Sequence, residues 1–490
     1  MVNFAPMNAD EFQQQVRAAL PYEPNEQQAR VIEVLSRFCL APFDGSERAF
    51  VLNGYAGTGK TSLTGALVKT LEANGMHAVL LAPTGRAAKV FSSNSGGHPA
   101  FTIHRKIYRH NPGAPTGDFS FLAPADNRSK NTVFIVDEAS MIGADDGRGN
   151  SLIEDLITYV FAGENCRLIL IGDTAQLPPV GSDRSPAMNT DRLRAYGLKV
   201  SSATLTETAR QAADSGVLFN ATRLRKVMLQ AARTPKGEQA PIPKLRVGDF
   251  DDVHIVENED LPELLDGAYS HSGEDNTILI TLSNRRALEY NMGVRAQVLY
   301  REEEISRDDR LIVSKNHYFA RRVPGLDFVA NGDILTVERV YGTEQRYGLR
   351  FADVSLSIPS PSNPDDVITF EAKVILDNLS DPTAGLTTER LNELYYAIIS
   401  DDDRYMGVPM DRRVAALRTD PYWTALHVKY AYAVTCHKAQ GGQWENVFVD
   451  LSYIPEDQLG LTLYRWLYTA ITRSRLNLFL INPPELLLEK

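Results

Sequence analysis

The sequence predicts an α/β protein of two parallel-sheet units, the first interrupted by a short insertion and the second by an all-β one. Three observations predict it. Residues 49–64 (AFVLNGYAGTGKTSLT) read as strand, glycine loop and helix. Two later apolar runs, 132–136 and 168–171, end in polar clusters, as strands of a covered parallel sheet do at their C-terminal edge. From residue 277 a second strand-and-helix series begins, and residues 309–427 interrupt it with short alternating strands.

The chain has 490 residues, too many for one ordinary core, with 43% apolar and 23% charged residues. No apolar run approaches the length of a membrane span, and residues 1–12 lack a basic segment followed by an apolar one, so no membrane contact and a cytoplasmic location are expected. Cys39, Cys166 and Cys436 are odd in number and far apart, which fits neither a paired disulfide framework nor a zinc site. Net charge is −11, from 51 basic and 62 acidic residues. A polyanion groove, if present, must be local.

In chain order, apolar residues at helical spacing predict helices over 10–20 and from Asn25 onward. Gln28 reads two ways, as the reciprocal partner of Asn25 in a capping box or as an adenine-reading side chain ahead of the loop. The loop from Gly54 through Ala56, Gly57, Thr58, Gly59, Lys60, Thr61 and Ser62 has the spacing of a phosphate cradle. Glycines are needed there because a Cβ would hold backbone N–H groups away from phosphate oxygens. Lys60 would meet the terminal phosphates, and Thr61 would ligate Mg²⁺. Residues 62–74 continue as helix, and 77–81 form a strand leading into Pro83, Thr84, Arg86 and Lys89. Those two cations fit either a ligand edge or a solvated helix face.

Residues 92–131 break the rhythm and mix basic with aromatic residues, among them His104, Arg105, Phe119 and Phe121. Such a mixture suits phosphates and base faces, while packing on the parent domain equally explains the phenylalanines. The strand at 132–136 delivers Asp137 and Glu138, and that at 168–171 delivers Asp173 and Gln176. With a phosphate loop already present, these point to one nucleotide site: Asp137 holding Mg²⁺ through water, Glu138 positioning or deprotonating a water, Gln176 reporting on the terminal phosphate. A turn into helix at 205–213 offers Arg210. The second unit begins with a strand at 277–282 followed by Asn284, and has no phosphate loop of its own. Residues 309–427 predict a small barrel with a helical projection at 388–400. Alternation over 428–434 predicts a strand ending in His437 and Lys438; a strand at 447–451, a helix at 462–475 with Arg473 near its end, and a strand at 476–481 complete the unit.

The segments GYAGTGKT, APTGRAA, FTIH, IVDEASM, GDTAQLPPV, LTETARQ, SNR, NGD, YAVTCHKAQG and LYTAITRSR, in this order, resemble the RecD-like and phage Dda-like branch of superfamily 1B DNA helicases across residues 24–481. The resemblance implies two RecA-like P-loop domains, the first over 1–91 and 132–215 with a pin insertion at 92–131. The second covers 216–308 and 428–490, with an SH3-like barrel at 309–427. It implies ATP and Mg²⁺ as cofactors, Gln28 as the adenine contact, and Arg210 and Arg473 as arginines meeting the terminal phosphate from opposite sides. Pro83, Thr84, Thr102, His104, Asn284, His437 and Lys438 then look like single-strand contacts, and Asn331, which matches a barrel turn, joins the nucleic-acid set with Arg86, Phe119 and Phe121. Two departures stand out: Gly442-Gln443 replaces an acid found in many relatives, and the pin tip GAPTG carries no aromatic residue.

The function expected is ATP-driven translocation on single-stranded DNA with strand separation at single-/double-strand junctions, 5′ to 3′ by the resemblance alone. The resemblance also implies work in replication, repair or recombination, without naming a protein partner. An ATP-dependent DNA-binding switch or loader subunit would keep every nucleotide residue, so motifs do not separate the two.

Overall fold

The computed structural model describes residues 8–489 apart from 110–122, 145–150, 209–213, 236–237, 239, 361–365, 384 and 455–457. The first unit is built on β1 (Arg48–Gly54), β2 (His77–Ala82) and β3 (Ala100–Thr102). A two-residue antiparallel pair, β4 (Tyr108–Arg109) with β5 (Ala123–Pro124), forms the described base of the insertion. β6 (Thr132–Val136), β7 (Arg167–Gly172) and β8 (Lys199–Leu205) complete a parallel sheet of order β3-β2-β6-β7-β1-β8. One strand, β7, therefore separates the phosphate-loop strand from the acid-bearing strand. Apolar residues alternate between its two faces: Phe50, Leu52, Val133 and Ile135 enter one core, and Ala49, Val51, Phe134 and Val136 the other. Central strands covered on both sides read as unbroken apolar runs for this reason.

The second parallel sheet takes β9 (Val253–Val256) and β10 (Thr277–Thr281). The chain then leaves for β11 (Arg310–Val313), the hairpin β12 (His317–Val323) and β13 (Leu326–Val329), and the antiparallel β14 (Ile334–Arg346), β15 (Leu349–Pro359) and β16 (Val367–Ile375). It returns through β17 (Val428–Tyr430), β18 (Ala433–Thr435), β19 (Trp444–Asp450) and β20 (Ser474–Ile481). The parallel order is β18-β10-β19-β20-β9; the antiparallel order is β16-β15-β14-β11-β17. A bridge between Val374 and Leu426 joins the outer strand β16 to the residues just before β17, curling the sheet closed. The expected α/β class, with two parallel P-loop-type sheets and an all-β insertion, is thus the architecture observed.

Three details differ from the sequence reading. Ala100–Thr102 pairs with β2 as an edge strand of the first sheet instead of belonging to the insertion. The stretch 428–435 is not one strand: its first part completes the barrel sheet and its last part the parallel sheet. A single extended segment whose side chains alternate serves both, so periodicity does not show the switch. The barrel also shares a core with the second sheet, since Leu279, Phe448 and Ile481 join Leu311, Val313 and Leu335 in one cluster. The helical projection, Thr388–Ile399, packs Leu394 and Ile398 with Leu349 and Phe351 of the barrel.

Candidate nucleotide site and nucleic-acid track

At the end of β1, Gly57 (φ 72°) and Gly59 (φ 83°) take the left-handed conformation, and the helix Lys60–Ala73 starts directly after them. A Cβ on Gly59 would lie 2.6 Å from the Gln28 side-chain nitrogen, so the cradle requires glycine. Lys60 Nζ donates to the carbonyls of Gly54 (2.5 Å) and Tyr55 (2.9 Å), within its own loop. Thr61 is exposed on the first helical turn and Ser62 is half-buried.

Asn25 and Gln28 form the capping box, and Gln28 Nε2 also donates to the Thr58 carbonyl at 3.0 Å. The cap reading of Gln28 is therefore realised, and it braces the loop from behind. Asp137 and Glu138 leave β6 together. Glu138 has φ 51°, unusual for a residue with a side chain, and its N–H donates to Asp137 Oδ1 at 2.9 Å. Burial, and then the Glu138 charge, push the Asp137 carboxyl up to about 7, while Lys60 opposes them. A half-buried carboxyl so placed suits a cation, and a hard divalent ion on few protein oxygens is the usual Mg²⁺ arrangement. Among the described residues no group of three or more His, Cys, Asp or Glu forms a metal cage. Thr61 and Asp137 fit a metal that takes its remaining ligands from phosphate and water. Gln176 is buried and its Oε1 has no protein partner, the orphan expected of a side chain that bonds a ligand or its water.

The second unit covers this loop. Tyr468, in the helix Leu461–Ile471, accepts from the Ala56 N–H at 2.9 Å and donates to Asp173 Oδ2 at 2.7 Å. Thr469 Oγ1 accepts from the Leu177 N–H at 2.8 Å, and Gln440 Nε2 donates to the Leu177 carbonyl at 2.8 Å. Arg473 is buried, with its guanidinium donating to the carbonyls of Thr469 (3.0 Å) and Gly442 (3.3 Å). In the structure it is held by its own domain. Arg210 lies outside the described residues, as do Phe119 and Phe121. Tyr468 was not singled out from sequence. The available signal was the Tyr464/Tyr468 pair, four apart beside the apolar stripe.

The nucleic-acid candidates fall on two adjacent edges. Pro83 and Thr84 follow β2 and Thr102 ends β3; Asn284 follows β10, and His437 and Lys438 follow β18. These are the outer two strands of each parallel sheet. Thr84 and Thr102 cap the helices after their strands, accepting from Ala87 N and Arg105 N at 3.2 Å each. Asn284 and Lys438 line one crevice with Lys429 and Thr435. A Cβ at Gly441 would stand 3.5 Å from Thr84 Oγ1, so the two edges meet. His104 packs on Tyr108, ring centres 5.8 Å apart, and Asn331 is exposed, its N–H donating to Asn316 Oδ1 at 2.6 Å.

Arg86 is placed differently from the expectation. Its guanidinium lies 3.9 Å from the Trp444 ring centre across the domain junction, a cation–π stack. A Cβ on Gly442 would come within 2.6 Å of both Arg86 Nε and the Trp444 ring. The stack thus leaves no room for a side chain at Gly442.

An AAA domain model matches residues 25–234, and a UvrD-like helicase C-terminal domain model matches 430–481. Residues 25–234 are thus similar to an AAA domain and residues 430–481 to a UvrD-like helicase C-terminal domain. The chain is 35% identical over 162 residues to the ATP-dependent RecD2 DNA helicase of Deinococcus radiodurans, covering 32% of this chain and 18% of that protein. It is 34% identical over 140 residues to the ATP-dependent DNA helicase dda of Enterobacteria phage T4, covering 28% of this chain and 29% of that one. The matched segments therefore span less than a third of the length of either relative. A solved structure of Pif1 helicase from Bacteroides with ADP-AlF3 and ssDNA aligns over 96% of this chain and 95% of its own, at 14% identity and a TM-score of 0.46. Pif1 helicase from Candida albicans aligns over 96% and 97%, at 17% and 0.40. The expected likeness to superfamily 1B, on the RecD-like and Dda-like side, is borne out. No helix among the described residues is long and apolar enough to cross a membrane.

Proposed function

We propose that the chain is an ATP-dependent DNA helicase that moves along single-stranded DNA, 5′ to 3′ by its family resemblance, and opens single-/double-strand junctions. One observation carries this reading. Each parallel sheet offers its nucleic-acid candidates on its outer two strands, β3 and β2 or β18 and β10, while the nucleotide candidates occupy β6, β7 and β1. Both ligands would thus span the same pair of domains, and a change of domain spacing at one is a change at the other.

In this reading Gly54–Ser62 cradle the phosphates, Gln28 meets adenine, Thr61 and Asp137 hold Mg²⁺, and Glu138 takes a proton from the attacking water. Mg²⁺ supplies charge neutralisation on the phosphate oxygens. Lys60 must leave the Gly54 and Tyr55 carbonyls to meet phosphate, and Arg473 must leave Thr469 and Gly442. Thr84 and Thr102 on one domain, Asn284, His437 and Lys438 on the other, hold the strand. Closure and release then alternate the two grips. Residues 105–131 with Phe119 and Phe121 serve as the pin, and 309–427 with Asn331 as its barrel support.

Purified protein on a 5′-tailed duplex is expected to displace the strand with ATP and Mg²⁺, and to do so far less on a 3′-tailed one. Glu138→Gln is expected to bind ATP normally with turnover reduced at least ~100-fold, the scale of a lost general base. Strand-stimulated turnover with no displacement from either duplex would refute unwinding and favour the switch or loader reading.

A further inference from the structure

The nucleotide candidates described above are tied together by a residue that none of those assignments uses. Tyr468 Oη accepts from the Ala56 N–H of the phosphate loop and donates to Asp173 Oδ2. Asp173 Oδ1 accepts from the Ala175 N–H at 2.9 Å, and the Asp173 carbonyl accepts from the Gln176 N–H at 3.2 Å. The same carboxylate that holds Tyr468 therefore also shapes the turn that aims Gln176. One residue on, the Thr469 carbonyl accepts from Arg473 Nε, while its hydroxyl receives the Leu177 N–H just past that turn. Tyr468 has no exposed surface, so water does not substitute for either partner.

We infer that Tyr468 is a positioning residue for nucleotide turnover, its hydroxyl fixing the phosphate loop and the Gln176 turn against the helix that carries Arg473. This rests on the ATP-hydrolysing reading above. A phenol serves because a single oxygen both accepts and donates, bridging a loop amide to a carboxylate. Phenylalanine keeps the ring and loses both bonds. Binding of the nucleotide uses many loop N–H groups and survives that loss; alignment of the two domains does not.

The test is steady-state, strand-stimulated ATP hydrolysis by full-length wild type, Tyr468→Phe, Asp173→Asn and the double variant, with equilibrium binding of a fluorescent ATP analogue. Losing a hydrogen bond to a charged group costs enough to slow turnover about ten-fold. We expect kcat to fall by that factor in each single variant, KM and analogue affinity to stay within about two-fold, and the double variant to fall no further, because the two groups act as one unit. Unchanged kcat in Tyr468→Phe, a matching loss of analogue binding, or losses that multiply in the double variant would overturn the assignment. If Tyr468→Phe does not fold, Asp173→Asn decides by the same split. Hydrogen exchange at Ala56 gives a readout independent of activity: faster exchange in Tyr468→Phe is expected, and an unchanged rate overturns the tie. A wild-type chain without ATP turnover would sink the functional reading instead, leaving the exchange result to judge Tyr468.

Discussion

Asp309, at the root of the barrel, is fully buried and accepts from Arg295 Nε (2.9 Å) and Nη2 (3.0 Å), Arg301 Nη1 (3.1 Å), Tyr432 Oη (3.1 Å) and the Ser306 N–H (2.7 Å). Arg295 is 2% exposed, so Asp309→Ala strands a buried guanidinium with no carboxylate. Breaking such a pair from one side costs about 3–5 kcal/mol, whereas the intact pair adds little over an apolar replacement. At roughly 2 °C per kcal/mol, the lower figure for large units, the transition of the second sheet and barrel should fall by about 6–10 °C. Differential scanning calorimetry of the full chain reads it as a shifted component with the first unit unmoved. Asp309→Leu combined with Arg295→Met should recover part of the loss, since that buried pair is gone from both sides while Arg301 keeps Glu274 at 3.5 Å. A shift under about 3 °C in Asp309→Ala, or no recovery in the double variant, would refute the dependence of the second unit on this buried pair.

Two other predictions concern groups with more than one tie. Gln28→Ala removes the capping box and the Thr58 bond, which should lower stability by about 1–2 kcal/mol in urea unfolding. Asn25→Ala loses the cap while keeping the Gln28 amide, so only Gln28→Ala should weaken the preference for ATP over GTP. Equal preference in both variants would limit Gln28 to capping. Asp333 accepts from the Ala330 N–H at 2.8 Å beside Gly85, and burial pushes its carboxyl up from 3.8 to about 6, with Arg86 and Lys89 opposing. The folded state therefore holds this proton more tightly than the unfolded one, and ionisation destabilises the fold as pH rises between those values. Asp333→Asn should raise the melting temperature relative to wild type at pH 8 and lose that gain near pH 4. A constant difference across this range would exclude the carboxyl as its source.

What the sequence made legible follows from length of signal. Strands β1, β6, β7 and β10 are buried on both faces, and their apolar runs identify them; β8, an outer strand reading KVSSATL with exposed Lys199, Ser201 and Ser202, gives no such run. β3 has three residues, too few for any periodicity. In the candidate site, the left-handed Gly57 and Gly59 and the loop and strand-end positions of Lys60, Asp137 and Gln176 were readable. Tyr468 and the Arg86–Trp444 stack were not, because their partners are hundreds of positions away and each looks locally like helix surface or core.

Two kinds of contact meet at the domain junction. Around the phosphate loop and the Gln176 turn the direct ties are polar bonds from uncharged donors, namely Tyr468 to Asp173, the Ala56 N–H to Tyr468, the Leu177 N–H to Thr469 and Gln440 to the Leu177 carbonyl, while away from the loop Arg465 donates to the Asp183 carbonyl and Arg86 stacks on Trp444. The cations assigned to phosphate, Lys60 and Arg473, are instead held by carbonyls of their own domains. A carbonyl offers only a partial charge, so a polyphosphate outcompetes it for an ammonium or guanidinium by replacing dipoles with full charges. Neutral neighbours of the same bonds gain nothing comparable. Phosphate would then draw Lys60 and Arg473 out of opposite domains while leaving the Tyr468 register to set how they meet, which separates the force that closes the cleft from the geometry that aligns it.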